Sequence, residues 1–304
     1  MPTIDPSPLD TVVAVVPTPF LEDGAMDPAG FEHVLRRAVD GGLRAVTIAG
    51  NTGEFGALSA DEIGRLIDVA AATLAGRAAL LVGVGGDLPT ARQVASKAAA
   101  AGAFGVMIHE PAGPFRSPAG WRRYHVELAD AVPGLAVVPY VRDATIGPDD
   151  LRALVTAAPG VVAVKYAVPD PLRFADLVTG GPPLLWICGL AEGWAPFFRP
   201  AGATAFTSGL AVIEPGLSLA LLEHLRCDRS AEALETWRLV RPFEALRARN
   251  GGSANVPAVK EALALRSVIG RTVRPPISEL GAEDRAEVGR ILASWDHALG
   301  SAVA

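Results

Sequence analysis

The stretch Val161-Val162-Ala163-Val164-Lys165-Tyr166 (161–166) reads as a buried strand through its fourth residue and then presents an amine. A buried charge is costly unless it is paired or discharged, and lysine in such a place readily sheds its proton and becomes a nucleophile. The chain also uses lysine sparingly. Of its 27 basic residues, three are lysines, Lys97, Lys165 and Lys260, and the rest are arginine. Had position 165 needed positive charge alone, arginine was the residue at hand.

Apolar runs of the same kind recur at 11–16, 43–49, 78–84, 103–109, 135–140, 184–188 and 203–208. They are continuously apolar instead of alternating, the mark of strands covered on both faces. Helical patterns lie between them. Ser59 and Glu62 make a capping box, Asp27-Pro28 opens another helix, and the alanine-rich ARQVASKAAAAGA (91–103) has helical propensity. Eight strands alternating with helices predict parallel pairing and right-handed crossovers. The economical closure is an α/β fold, a (β/α)8 TIM barrel with residues 212–226 as the eighth helix. A doubly wound open sheet is the alternative. Beyond residue 228 the sequence predicts two or three more helices, broken by NGGSANVP and RTVRPPISEL, and no strand pattern returns. Residues 1–226 thus read as the catalytic barrel and 227–304 as a C-terminal helical appendage packed on it.

With 304 residues, half of them hydrophobic, the chain can bury a large core. A net charge of -6 argues against nucleic-acid or membrane-surface partners, while local arginines can still bind small anions. Cys188 and Cys227 lack metal-ligand spacing and suggest a reducing compartment. MPTIDPSPLD has no signal-peptide pattern, and no apolar run reaches the roughly 18 residues of a membrane span. A soluble, cytoplasmic protein is expected. His33, His125, His224 and His297 fall in helical patterns and form no ligand set, so neither metal nor cofactor is expected.

Barrel enzymes carry their reacting groups at the carboxyl ends of the strands. There this sequence gathers Asn51, Thr52, Gly53 and Glu54 after strand two, His109 and Glu110 after strand four, and Tyr140 and Arg142 after strand five. Lys165 follows on strand six, Gly189 on strand seven and Ser208 on strand eight. Lys165 is the candidate nucleophile: a neutral amine attacks a ketone to give an imine that withdraws electrons from the neighbouring carbons. Tyr140 is placed to relay protons. Backbone N–H groups near Thr52 and Gly53, with the Thr52 hydroxyl, can hold a carboxylate. Asn51, Gly189 and Ser208 are further substrate-binding candidates. Arg142 either faces solvent or binds a second carboxylate through its fork. His109 and Glu110 either transfer protons or form a structurally satisfied pair, and Glu54 caps or braces its loop.

Taken together, AVVPTPFLEDGAMD, AGNTGE, LLVGVGG, the tyrosine ending strand five and VAVKYAVPD resemble the dihydrodipicolinate synthase and N-acetylneuraminate lyase superfamily over roughly residues 10–280. The resemblance implies a (β/α)8 barrel with C-terminal helices, assembled as a homotetramer or homodimer, that cleaves, joins or dehydrates 2-oxo acids through a lysine imine. It implies Lys165 as the imine-forming residue, Tyr140 as the proton relay, and Thr52 with Gly53 as the carboxylate holder. YVRDA, GLAEGWAPFF, RPFEALRARNGG and VRPPISEL look most like the 5-dehydro-4-deoxyglucarate dehydratase branch, where Arg142 would meet the distal carboxylate of a sugar diacid. The chain departs from the family's pattern at Ala112 and Gly113, where relatives carry tyrosine, and at Asn51, Tyr166 and Val212. Thr145 stands where the synthases have an arginine, which argues against true synthase activity. Two alternatives accompany the dehydratase reading: a pyruvate-releasing aldolase of the same chemistry, and a barrel that binds 2-oxo acids without rapid turnover.

Overall fold

The computed structural model describes residues 4–111 and 115–301. Among them eight parallel strands close a barrel in chain order: β1 (Val12–Val15), β2 (Ala45–Ile48), β3 (Ala79–Val84), β4 (Gly105–Ile108), β5 (Ala136–Val141), β6 (Ala163–Tyr166), β7 (Leu185–Cys188) and β8 (Ala205–Ser208). The barrel is the closure the sequence predicts, and an open sheet is ruled out by the pairing of β1 with β8.

Outside the strands lie α1 (Pro28–Asp40), α2 (Ala60–Leu74), α3 (Leu88–Ala100), α4 (Pro118–Asp130), α5 (Pro148–Ala157), α6 (Pro171–Gly180), the short α7 (Ala195–Phe198) and α8 (Pro215–Arg226). Their starts follow local chemistry. Asp27 accepts from Gly30 N ahead of Pro28, and Ser59 and Glu62 complete the predicted capping box.

Because side chains alternate across a strand, each β residue faces either the barrel interior or the helices. Val13, Ala45, Leu81, Val138, Ala163, Ile187 and Ala205 fill the interior with Leu9 as a plug. Val12, Ala14, Val46, Val82, Val106, Val137, Val164 and Phe206 pack outward against the helical layer. Two residues beyond Ala163 on the interior face comes Lys165, and two beyond Val138 comes Tyr140; the register sets these two side by side. The strand pattern alone therefore aims an amine and a phenol into the same mouth.

Past the barrel run α9 (Ser230–Arg247), the four-residue α10 (Arg249–Gly252), α11 (Asn255–Leu265) and α12 (Ala282–Ser301). The break at α10 comes from Asn250, Gly251 and Gly252, all at positive φ. None of the helices among the described residues is long and apolar enough to cross a membrane.

A buried ion pair joins this C-terminal layer to the loop after β2. Lys260, on α11 and with no exposed surface, pairs with Glu54, whose side chain is equally inaccessible. Lys260 also donates to Thr272 O at 2.7 Å, and Glu54 accepts from Arg274 N at 2.9 Å. Arg274 reaches on to Glu62 and to the carbonyls of Gly24 and Ala57, and lies over the ring of Phe20. Removing one partner of a buried pair leaves the other charge dry and uncompensated. Lys260→Met is therefore expected to cost about 3–5 kcal/mol of unfolding free energy. Adding Glu54→Gln to it should recover part of that loss. Urea titration followed by tryptophan fluorescence measures both; equal losses would show that charge compensation is not what the pair contributes.

Candidate active site

At the carboxyl ends of the strands lies a cavity of about 780 Å³. Val15, Asn51, Thr52, Tyr140, Arg142, Lys165, Gly189, Thr207 and Gly209 line it from the barrel side. Its roof comes from later in the chain: Trp194 just before α7 and Phe197 on it, Trp237, Arg241, Glu244 and Arg247 on α9, and Asn255 on α11.

Lys165 is 4% exposed, with Nζ 4.0 Å from the centroid of the Tyr140 ring. Burial, reinforced by the positive charge of Arg142, brings its pKa down to about 7, so a large fraction of the amine is neutral and nucleophilic near neutrality. Gly189 makes room for it. A Cβ at that position would sit 3.0 Å from Lys165 Cγ and 2.9 Å from Tyr166 O. Tyr140 is buried too, and burial raises its pKa against the opposing influence of Arg142, which keeps the phenol protonated. Asn51 Nδ2 donates to Tyr140 Oη at 3.5 Å.

The Thr52–Gly53 loop is tightly built. Thr18 Oγ1 donates to Gly53 O at 2.7 Å, and a Cβ on Gly53 would lie 3.0 Å from Val16 O. Neither the Thr52 nor the Gly53 N–H donates to a backbone oxygen among the described residues; Thr52 lines the cavity, and Gly53 lies buried behind it. The loop is bracketed by Ala49 at φ 50° and Glu54 at φ 57°, left-handed conformations that cost side-chain-bearing residues about 1–2 kcal/mol each. Each is held by a buried partner. His109 Nε2 bonds Ala49 O at 2.9 Å, and Lys260 holds Glu54.

Several candidates do not line the cavity. His109 is buried, stacked on Phe55 at 4.1 Å, and lowered by burial to a pKa of about 4, so it is neutral and serves as the brace of Ala49. Gly83 leaves the space for that bond, since a Cβ there would meet Ala49 O at 2.0 Å. Glu110 accepts from Arg142 N at 2.9 Å and faces Arg116 at 3.5 Å, tying the β4 and β5 ends together outside the cavity. Burial raises its pKa. Both make bracing contacts and neither lines the cavity, although the His109 ring meets the Tyr140 ring edge-on at 6.2 Å. Ser208 is likewise corrected. Thr207 is the interior residue of its strand, so Ser208 points outward, donates to Glu192 and accepts from Ala211 N at 2.8 Å. Glu192 accepts from Ser218 as well. Burial and, second, the Glu244 carboxylate push it up to about 7.

The same alternation turns Tyr166 outward, where it packs on Phe174 and Phe198, and Val212 sits in the outer core. Thr145 bonds Asp143 instead of facing the cavity. Ala112 and Gly113 lie outside the described residues. Among the described residues no group of three or more His, Cys, Asp or Glu could hold a metal ion.

The roof is what sequence reasoning missed. Its signal was present in α9, where Trp237, Arg241 and Glu244 recur at four and three residues, one stripe of a helix turned toward the cavity.

Comparison with known proteins follows the same lines. The model of the dihydrodipicolinate synthetase family matches residues 8–295. A probable 5-dehydro-4-deoxyglucarate dehydratase of Streptomyces griseus is 31% identical over 288 residues, covering 91% of this chain and 89% of the relative. A 4-hydroxy-tetrahydrodipicolinate synthase of Xanthomonas axonopodis pv. citri is 30% identical over 292 residues and covers 94% of both chains. Among solved structures, dihydrodipicolinate synthase from Bacillus clausii superposes with a TM-score of 0.91 at 36% identity, covering 95% of this chain and 99% of the other. The synthase from Oceanobacillus iheyensis gives 0.92 at 32% identity over 96% and 98%. On the match of the family model across nearly the whole chain, this protein belongs to the dihydrodipicolinate synthetase family.

Proposed function

We propose that this chain is a Schiff-base-forming lyase acting on a 2-oxo acid, and that its reaction is dehydration of a sugar-derived acid of the 5-dehydro-4-deoxyglucarate type. The observation that carries the reading is the Lys165 amine, dry, discharged near neutrality and set against the Tyr140 phenol inside a cavity able to enclose a small acid. The substrate carboxylate rests on the Thr52 and Gly53 N–H groups and the Thr52 hydroxyl. Lys165 Nζ adds to the adjacent ketone, and the carbinolamine loses water to give an iminium. That cation acidifies the next carbon, whose proton departs to leave an enamine. The enamine electrons then expel the β-hydroxyl, which leaves as water after taking up a proton, to give a conjugated iminium. For the glucarate-derived acid the bond to the distal carboxylate then breaks, carbon dioxide leaves, and its bonding electrons pass through the conjugated system to the iminium nitrogen. Reprotonation of carbon, with tautomerisation of the enol to an aldehyde, gives an imine whose hydrolysis releases the dioxo acid and frees the amine. Tyr140, kept protonated by burial, relays protons in forming and breaking the imine.

Aldol cleavage shares every step up to the enamine and differs in which bond breaks, so product analysis separates the two: a dioxo acid from dehydration, with carbon dioxide for the glucarate-derived acid, against pyruvate from cleavage. The name of the Streptomyces griseus relative, and Thr145 in place of the arginine expected of the synthases, favour dehydration. No cofactor is needed, because the lysine itself supplies the electron sink.

Borohydride reduction in the presence of pyruvate or candidate sugar acids, with mass spectrometry, should place the adduct on Lys165; turnover with Lys165 left unmodified would refute the imine. Trapping at saturating acid should accelerate as pH rises through about 7, since the deprotonated amine is the reactant and Lys165 loses its proton there. A rate that stays flat between pH 6 and 8 would contradict a discharged amine (pH range about one unit either side of the shifted pKa). Tyr140→Phe should retain substrate binding but lose about 10²–10⁴-fold in kcat; unchanged kcat would remove the tyrosine from the proton path.

A further inference from the structure

We infer that Arg247, supplied by the C-terminal layer, holds a second anionic group of the substrate and selects dicarboxylic over monocarboxylic 2-oxo acids. This deepens the proposed function and rests on its placement of the first carboxylate at Thr52 and Gly53.

Arg247 is 6% exposed yet lines the cavity, so its guanidinium is withdrawn from bulk water but reachable from the site. It is locked in place. Nη1 donates to Glu244 Oε1 at 2.6 Å and Nη2 to Asn255 Oδ1 at 2.7 Å. Nη1 and Nη2 each carry two N–H bonds, so one on each remains beyond these contacts. A pre-aimed fork of this kind recognises a carboxylate in two-point fashion, and its rigidity reduces the entropy lost on binding.

Its position relative to the barrel is set by a missing side chain. A Cβ at Gly209 would fall 2.8 Å from Arg247 Nη2 and 3.3 Å from Thr52 Cγ2, so the guanidinium occupies the space above the carboxylate loop that any larger residue would fill. Gly209 has φ -86°, open to every residue, so close approach, not backbone conformation, is what glycine supplies there. Arg142, Arg241 and Arg247 line the cavity with Lys165, and Glu244, paired with Arg247, is the one lining carboxylate among the described residues, so the arginines alone leave an excess of two positive charges within a chain of net charge -6. A substrate with two carboxylates neutralises that excess. Arg142 and Arg241 are exposed, the latter over Trp237, leaving Arg247 as the buried arginine of the set, where screening is weakest.

The test compares 2-oxoadipate with 2-oxohexanoate, acids of equal length that differ in the second carboxylate. Binding is read by quenching of the cavity tryptophans, Trp194 and Trp237, which does not require the imine, and borohydride trapping runs in parallel. The full-length protein should prefer 2-oxoadipate, and Arg247→Gln should reduce that preference about 10- to 100-fold, the range for a charge-assisted hydrogen-bonded contact. Arg247→Lys, which keeps charge without the fork, should fall between. Gly209→Ala should lower the preference in the same direction with the arginine still present, and it serves if Arg247→Gln does not fold. Restored preference in Arg247→Gln/Glu244→Gln would show that unmasked repulsion from Glu244 was the cause and overturn the inference. So would a preference unchanged in Arg247→Gln, or one abolished by Arg142→Gln instead. Absence of any Lys165 adduct, with the diacid preference still lost in Arg247→Gln, would sink the imine and leave the role of Arg247 standing.

Discussion

Keeping one amine dry without a counter-ion is the constraint from which the geometry of this protein follows. The chain buries two of its three lysines and treats them oppositely. Lys260 is given Glu54 and the Thr272 carbonyl, and it fastens two parts of the molecule together. Lys165 receives no carboxylate. Arg142 adds repulsion, and the nearby Cys188 thiol, itself pushed up to about 12 by burial, is the least of the influences and the one that opposes the loss. Desolvation then acts on the amine almost unopposed, and the proton becomes easy to lose.

Around that amine the barrel is organised by small absences and local strain. Gly189 clears the path of the lysine stem, Gly83 admits the bond between His109 and Ala49, and Gly209 admits Arg247. The Thr52–Gly53 loop is entered and left through residues in unfavourable conformations, and both are held by groups from other parts of the fold. Such strain persists only where the surroundings over-determine it.

Much of this could be read in the residues. Unbroken apolar runs and their spacing specify the barrel, and counting in twos from Ala163 and Val138 brings Lys165 and Tyr140 to one face. The same counting, applied to β8, separates Thr207 from Ser208, and at that position strand-end location was a poorer guide than alternation. His109 shows a different limit. Its ring shares the strand-end address of a catalytic group, and its Phe55 stack, its bond to the Ala49 carbonyl and its edge against Tyr140 all come from residues distant in sequence. The cavity roof depends on how α9 lies across the mouth, a tertiary fact that helical periodicity can suggest but not orient.

The bond between Lys260 and Glu54 also bears on how the fold can be divided. Although the eight strands that close the barrel all precede residue 227, the loop after β2 keeps its left-handed exit through Lys260 on α11 and through Arg274. A barrel cut at the end of α8 would lack both groups that hold Glu54, and with them the contacts that fix the turn next to Thr52 and Gly53. In this chain the tail is a working part of the mouth.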